Sequence, residues 1–448
     1  MTRVSVVRKT WVSFGLVVMI SSCVLLTGCV NEQKPAGKTT EEIAVEIVTL
    51  LIDKNYTGVY NYFNTSITTQ ITAAQFQSIW EQQITVNYDN LTRIAGERVT
   101  SESGYHVVYV TCNFSKPVVL DVKIVFNDQN RVVSLTVVPT PVTYSPPSYV
   151  NESTFTEESV TVGSGAWVLP GNLTIPKGAG PFPAVVLVQG SGPNDQDETI
   201  GPNKPLKDIA WGLASQGVVV LRYVKRTKEY TAQIAGLQNF TVEDEVIDDV
   251  IAAVNVLNAS PVVNHSRIFV LGHSLGGYLA PRIAGRDHRI AGLIILAGPT
   301  RHLEDLILEQ TRYLANLSGM NQSAQIASVE RGVTKIKTLN FTGNETVFGA
   351  PKAYWQDLAT YDPVATAQTL HIPMMILQGL RDYQVTMGDF SRWNETFYAN
   401  KNVTLKTYPS LNHLFITGTG VPTNAEYQIP GHVAAEVVDD IATWIKGH

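Results

Sequence analysis

Cysteine is scarce. The 448 residues contain three, Cys23, Cys29 and Cys112, too few for a disulfide framework. Charge is sparse as well, at 16% of residues with a formal net charge of -6. No basic block appears beyond the short run Arg222, Lys225, Arg226, Lys228, which reads as a solvated loop as readily as a phosphate site. This balance argues against a nucleic-acid partner. A phosphate loop, a dinucleotide fingerprint, Cys/His metal spacing and internal repeats are all missing, so no cofactor and no metal are expected. The acidic cluster Asp195, Asp197, Glu198 has no His or Cys beside it and reads as a solvated loop. What is plentiful is apolar sequence, 44% of the chain. With this length it predicts two folded units.

Residues 1–28 do not read as fold. Arg3, Arg8 and Lys9 form a positive n-region, and Trp11 to Leu26 is an uncharged apolar stretch. That is a signal-peptide pattern, short for a spanning helix. Leu26-Thr27-Gly28-Cys29 follows and resembles the lipobox of bacterial and archaeal lipoproteins, which implies lipid on Cys29. The alternative is an uncleaved single-span anchor. Both readings place the bulk outside the cytoplasm, at the cell surface and tethered to a membrane. Cys112, in the alternation Val108, Val110, Cys112, Phe114, reads as a small buried hydrophobe.

Asn-x-Ser/Thr sequons start at Asn55, Asn64, Asn90, Asn113, Asn151, Asn172, Asn239, Asn258, Asn264, Asn316, Asn321, Asn340, Asn344, Asn394 and Asn402. Composition alone would give about four, so N-glycosylation of an extracellular surface is expected.

Residues 29–39 are polar and aperiodic, a tether. Residues 40–138 contain helical spacing from Glu41 to Ile52, capped by Thr39 or Thr40, and a second helix near Thr72 to Ile84. Alternating stretches follow at Leu91–Thr100, Tyr105–Phe114, Val118–Phe126 and Val132–Val138, the last two joined by a turn at 127–130. This is an α+β pattern that resembles the small cystatin/NTF2-like module of the DUF3887 type. Pro139, Pro141, Pro146 and Pro147 make 139–152 a linker.

From 153 to 448 apolar strands alternate with helices, which predicts an α/β unit built on a mainly parallel sheet. Strands fall at Ala184–Val188, Val218–Leu221, Ile268–Leu271, Leu293–Leu296, Met374–Leu377 and Val403–Tyr408. Residues 302–370 interrupt the rhythm with a helical insertion, a cap.

Gly272-His273-Ser274-Leu275-Gly276-Gly277 lies between a strand and a helix. A nucleophile elbow needs that context, with glycines where the turn closes. Ser274 is the candidate nucleophile. Serine needs a base, and His413 sits in the loop beyond the last strand, where parallel sheets place their sites. His432, beside Pro430-Gly431, competes. Asp382, in the loop after Met374–Leu377, is the candidate orienting acid. Asp362 in Tyr-Asp-Pro reads as a capping aspartate, and Asp389 falls inside a helix. A tetrahedral oxyanion needs donors. The backbone N–H groups of Leu275 and Ser191 are the candidates.

Residues from about 155 onward resemble α/β-hydrolases of the serine aminopeptidase S33 and dienelactone-hydrolase-like esterase group. The resemblance rests on Gln-Gly-Ser-Gly-Pro-Asn-Asp-Gln-Asp (189–197), Leu-Arg-Tyr (221–223), Gly-His-Ser-Leu-Gly-Gly (272–277), Gln-Gly-Leu-Arg-Asp (378–382) and Asn-His-Leu-Phe (412–415). It implies hydrolysis of a small-molecule carboxylic ester through an acyl-enzyme. The alternatives are a serine exopeptidase or amidase with the same triad, or a non-catalytic surface-binding protein on the same fold. Gln189 stands where relatives carry His. Val224 stands where they carry Asp, a departure expected to leave Lys225 or Arg226 without an ion-pair partner. Cap side chains such as Tyr313, Phe341, Phe348, Tyr354 and Trp355 suit an apolar substrate group.

Overall fold

The computed structural model describes residues 20–21, 37–102, 105–116, 118–140, 144–318 and 321–448. Cys29, residues 30–36 of the tether and all of the expected signal segment except Ile20 and Ser21 lie outside them. The chain forms two compact units, one ahead of Tyr144 and one from Tyr144 to His448. No helix among the described residues is long and apolar enough to cross a membrane.

In the smaller unit α1 (Thr40–Ile52) starts at a capping box, with Thr39 and Glu42 each bonding the other's backbone N–H. Ile43, Ile47 and Leu51 recur at helical spacing and are buried. A second capping box, Thr72 with Gln75, opens α2 (Ala73–Trp80). The expected helix to Ile84 does not continue regularly, because the backbone widens to a π-turn over Glu81–Thr85. Four antiparallel strands follow, β1 (Leu91–Glu102), β2 (Tyr105–Phe114), β3 (Val119–Phe126) and β4 (Val132–Pro139). They pair in sequence order, and Ile20–Ser21 adds two residues at the β4 edge. Cys112 is buried in the core on β2, and burial pushes its thiol up to about 12.

Tyr144 to Asn151 belongs to the larger unit, which corrects the expectation that the linker runs to 152. The cause is hydrogen bonding. Tyr144 donates to Asp208 at 2.7 Å, Tyr149 to the Val433 carbonyl at 2.8 Å, and the Asn151 N–H to Ser215 at 2.9 Å.

The larger unit is built on one eight-stranded sheet. Its strands are β5 (Phe155–Val162), β6 (Leu169–Pro176), β7 (Phe182–Val188), β8 (Val219–Tyr223), β9 (Val263–His273), β10 (Ile290–Leu296), β11 (Met374–Gly379) and β12 (Val403–Tyr408). The spatial order is β12-β11-β10-β9-β7-β8-β6-β5. The first six are parallel, and β6 and β5 close the edge antiparallel. Sequence reading misses both; β5 leaves its interior residues largely exposed, as an edge strand can.

Alternation along the central strands feeds two cores. Ala184, Val186 and Val188 of β7 face one with Ile268 and Val270 of β9. Val185, Leu187, Phe269 and Leu271 face the other. The first is covered by α4 (Asp248–Ala259), α5 (Leu275–Arg286) and α8 (Met387–Phe397), the second by α3 (Pro205–Ser215) and α9 (Ala435–Gly447). Between β10 and β11 the expected cap contains the packed pair α6 (Leu303–Ser318) and α7 (Ser323–Thr338), then shorter helices at Lys352–Leu358 and Pro363–Gln368.

Candidate active site

The parallel strands run their C-terminal ends to one edge of the sheet, and the candidate residues stand on the loops there. β9 ends at His273, and Ser274 turns sharply into α5 with φ 53° and ψ -114°. A non-glycine residue pays of order 1–3 kcal/mol for such a backbone. The surroundings impose it. The Ser274 N–H donates to the Leu296 carbonyl at 2.9 Å, and its carbonyl accepts the Tyr278 N–H at 2.8 Å. A Cβ on Gly272 would lie 2.2 Å from the Gly276 carbonyl oxygen, and one on Gly276 2.5 Å from that of Val188. Only glycine permits this approach at both positions.

His413 and Asp382 are both buried, and His413 Nδ1 lies 2.7 Å from Asp382 Oδ2. The aspartate is held rigidly. Its Oδ1 accepts the Gln384 and Val385 N–H groups at 2.8 and 3.0 Å, and Gln378 Nε2 donates to Oδ2 at 3.1 Å. Asn412 shapes the histidine loop by accepting from the Leu414 and Ile416 N–H groups. Arg381, next to Asp382, pairs with Glu426, to which Asn412 also donates, so the acid and base loops are tied together.

The rivals sit elsewhere. His432 lies 3.2 Å from both oxygens of Asp208. Asp362 caps the Pro363–Gln368 helix and pairs with Arg392. Asp389 is buried and accepts from Thr300 and Arg301.

Leu275 is the first residue of α5, so its N–H has no acceptor within the helix. The Gly190 carbonyl accepts from Lys225 Nζ at 2.8 Å and Asn194 Nδ2 at 3.1 Å. The peptide that follows is planar and trans, so the Ser191 N–H points away from both donors. Ser191 itself is exposed. Gln189, in place of the relatives' His, is buried and bonds the Tyr223 carbonyl at the end of β8.

Four expectations are corrected here. The basic run is no solvated loop. Arg222, Lys225 and Arg226 are buried, with Arg222 between Asp197 and Glu157, Lys225 on Glu245 and Arg226 on Asp249. For the same reason Val224 leaves neither Lys225 nor Arg226 unpaired. The acidic loop is largely buried too: Asp197 also takes Lys204, and Glu198 meets His273. A buried charge survives only with such a partner. Tyr354 and Trp355 belong to the main core and do not offer a substrate wall.

A family model described as serine aminopeptidase, S33, matches residues 207–419, and one described as protein of unknown function DUF3887 matches residues 44–135. Esterase EstD of Thermotoga maritima is 38% identical over 396 residues, which cover 88% of this chain and 92% of that protein. The chain belongs to the EstD family of α/β-hydrolases. Among solved structures similar to this EstD-family chain is Est1E from Butyrivibrio proteoclasticus, 15% identical over 65% of this chain and 99% of that one, with a TM-score of 0.43. Another is the acylaminoacyl peptidase of Pyrococcus horikoshii, 13% identical over 80% of this chain and half of that one, with a TM-score of 0.44.

Sequence reasoning passed over several residues of this EstD-family site. His273 was only the variable position of the elbow motif, yet it is buried with both ring nitrogens bonded. Glu198 and Lys225 gave no sign of these contacts, because their partners His273 and Gly190 lie 75 and 35 residues away in sequence.

Proposed function

We propose that the chain hydrolyses small-molecule carboxylic esters through an acyl-enzyme on Ser274. Asp382 commits the Nδ1 proton of His413, which leaves Nε2 as the basic nitrogen. Nε2 takes the Ser274 hydroxyl proton as Oγ attacks the ester carbonyl. The N–H groups of Leu275 and Ser191 receive the developing oxyanion. His413 then protonates the departing alcohol, and water attacks the acyl-enzyme by the same route.

The observation that carries this reading is the buried 2.7 Å contact of His413 with Asp382, on the loops after β12 and β11 of the sheet that presents the elbow. The name of the relative, esterase EstD, supports an ester substrate. So does the cap. Exopeptidases hold a substrate amine with free carboxylates, and six of the seven cap acids are already paired: Asp305, Glu309, Glu330, Glu345, Asp357 and Asp362. The test is a fluorophosphonate probe. Wild type should label on Ser274 and lose p-nitrophenyl ester turnover in parallel. Label at another residue, or full turnover in a folded Ser274→Ala protein, overturns the assignment.

The same proposal places the protein outside the cytoplasm, on the cell surface of an archaeon or bacterium, anchored by lipid on Cys29 and N-glycosylated. None of the fifteen sequon asparagines is buried as a whole residue, which supports modification, although the side-chain oxygen of Asn113 is buried.

A further inference from the structure

One buried cluster is used by no step above. Glu198 and His273 are both almost fully buried, and the Nδ1 of His273 lies 2.9 Å from Glu198 Oε2. The other carboxylate oxygen, Oε1, accepts the Gly190 N–H at 2.6 Å. The other ring nitrogen, Nε2, lies 2.9 Å from the backbone carbonyl of His413. A carbonyl only accepts, so Nε2 carries a proton.

These three contacts join three separate loops. Gly190 precedes Ser191 and its N–H. His273 precedes Ser274. His413 is the base. A Cβ on Gly190 would meet Glu198 Oε1 at 2.9 Å and Ser274 Cβ at 3.1 Å, so the oxyanion loop rests directly on the elbow. Gly190 is gripped on both sides, its N–H by Glu198 and its C=O by Lys225. Each grip is a charged group bonded to the main chain, roughly twice as strong as a neutral bond. Packing alone does not call for this. A glutamate and a histidine replaced by apolar groups would spare the core two buried polar side chains.

We propose that Glu198 and His273 form a buried carboxylate–imidazolium pair that positions the oxyanion loop, the elbow and the base loop against one another. The proposal rests on the serine-hydrolase reading and deepens it. Both are positioning residues, because neither touches the reacting atoms. Doubly protonated His273 donates to Glu198 and to the His413 carbonyl at once; neutral His273 can donate to only one. The charged groups facing it are Glu198 from the loop after β7 and Asp382 from the loop after β11, and the His413 ring lies 4.7 Å away between centroids, on the loop after β12. Burial lowers the affinity of His273 for its second proton, and Glu198, the His413 carbonyl and Asp382 together more than offset that, so the net direction is upward. The imidazolium is therefore present below the raised value and lost as pH rises through it. Activity should fall on the alkaline side for this reason.

The test compares Glu198→Gln and Glu198→Ala in the full chain. Gln can accept from Gly190 and donate to a neutral His273, so it keeps the bonds and removes the charge. Glu198→Gln should lower kcat about tenfold and flatten the alkaline limb. Glu198→Ala should lower kcat about 10²-fold, the loss typical of one oxyanion donor, with KM within about threefold. Phosphonate labelling should slow in step. Unchanged kcat with the alkaline limb intact in Glu198→Gln overturns the pair, as does a rise in KM alone. A Glu198→Gln protein that does not fold also overturns it, since its bonds are conserved. Failure of wild type to label at Ser274 would instead overturn the serine-hydrolase reading beneath. Wild-type labelling rates in both variants would remove the pair and leave that reading standing.

Discussion

Asp382→Asn changes one atom and should cost about four decades of kcat. The two backbone donors on Oδ1, Gln384 and Val385, are set by the main chain and cannot turn away. The asparagine oxygen must face them, because an NH₂ there would confront two N–H groups. The new NH₂ then occupies the Oδ2 position, opposite His413 Nδ1 and Gln378 Nε2. A donor now meets Nδ1, so His413 places its proton on Nε2 to offer Nδ1 as acceptor. The basic nitrogen is lost while the fold is kept. Serine proteases with the same tautomer defect lose about 10⁴ in kcat, which corresponds to about 5.4 kcal/mol at about 1.4 per decade. The assay is steady-state hydrolysis of a p-nitrophenyl ester with folding checked by circular dichroism. KM should change little. A folded Asp382→Asn protein with kcat within tenfold of wild type would refute the tautomer argument. Asp362→Asn as the more damaging change would show that the wrong acid has been chosen.

Gly190→Ala must displace Glu198 or Ser274 by a few tenths of an ångström, so kcat should fall about tenfold, given that a 1 Å misplacement costs about 10². Wild-type kcat in that variant would contradict the contact. Cys29→Ala should release the protein from membranes or stop its processing. An unprocessed variant that stays membrane-bound favours a spanning anchor. With the cap acids neutralised, kcat/KM for short-chain aryl esters should exceed that for aminoacyl anilides by about 10², or about 2.7 kcal/mol. Parity would promote the peptidase reading. The intact mass of native protein should exceed that of polypeptide plus lipid by the weight of several glycans, and a bare mass removes the glycosylation.

What could be read from the sequence was what repeats locally. Ile43, Ile47 and Leu51 at helical spacing mark α1, and Thr39 with Glu42 marks its start. Uninterrupted apolar runs mark the central parallel strands because both faces are buried. The elbow is legible because a tight turn needs Gly272 and Gly276 within four residues of each other. Ser274, Asp382 and His413 could be singled out because each follows a strand that the apolar pattern already marked. The tertiary structure alone decided the rest. β5 is an edge strand and carries no buried stripe to announce it. Arg222, Lys225, Arg226, Asp197 and Glu198 look like surface charges one by one; each becomes a core residue only when a partner far along the chain meets it. A buried charge is tolerable when its counter-charge lies within a few ångströms, and sequence spacing does not report that distance. Glu198 and His273, 75 residues apart, meet because β7 and β9 are neighbours in the sheet, so their pairing exists only once the sheet has formed.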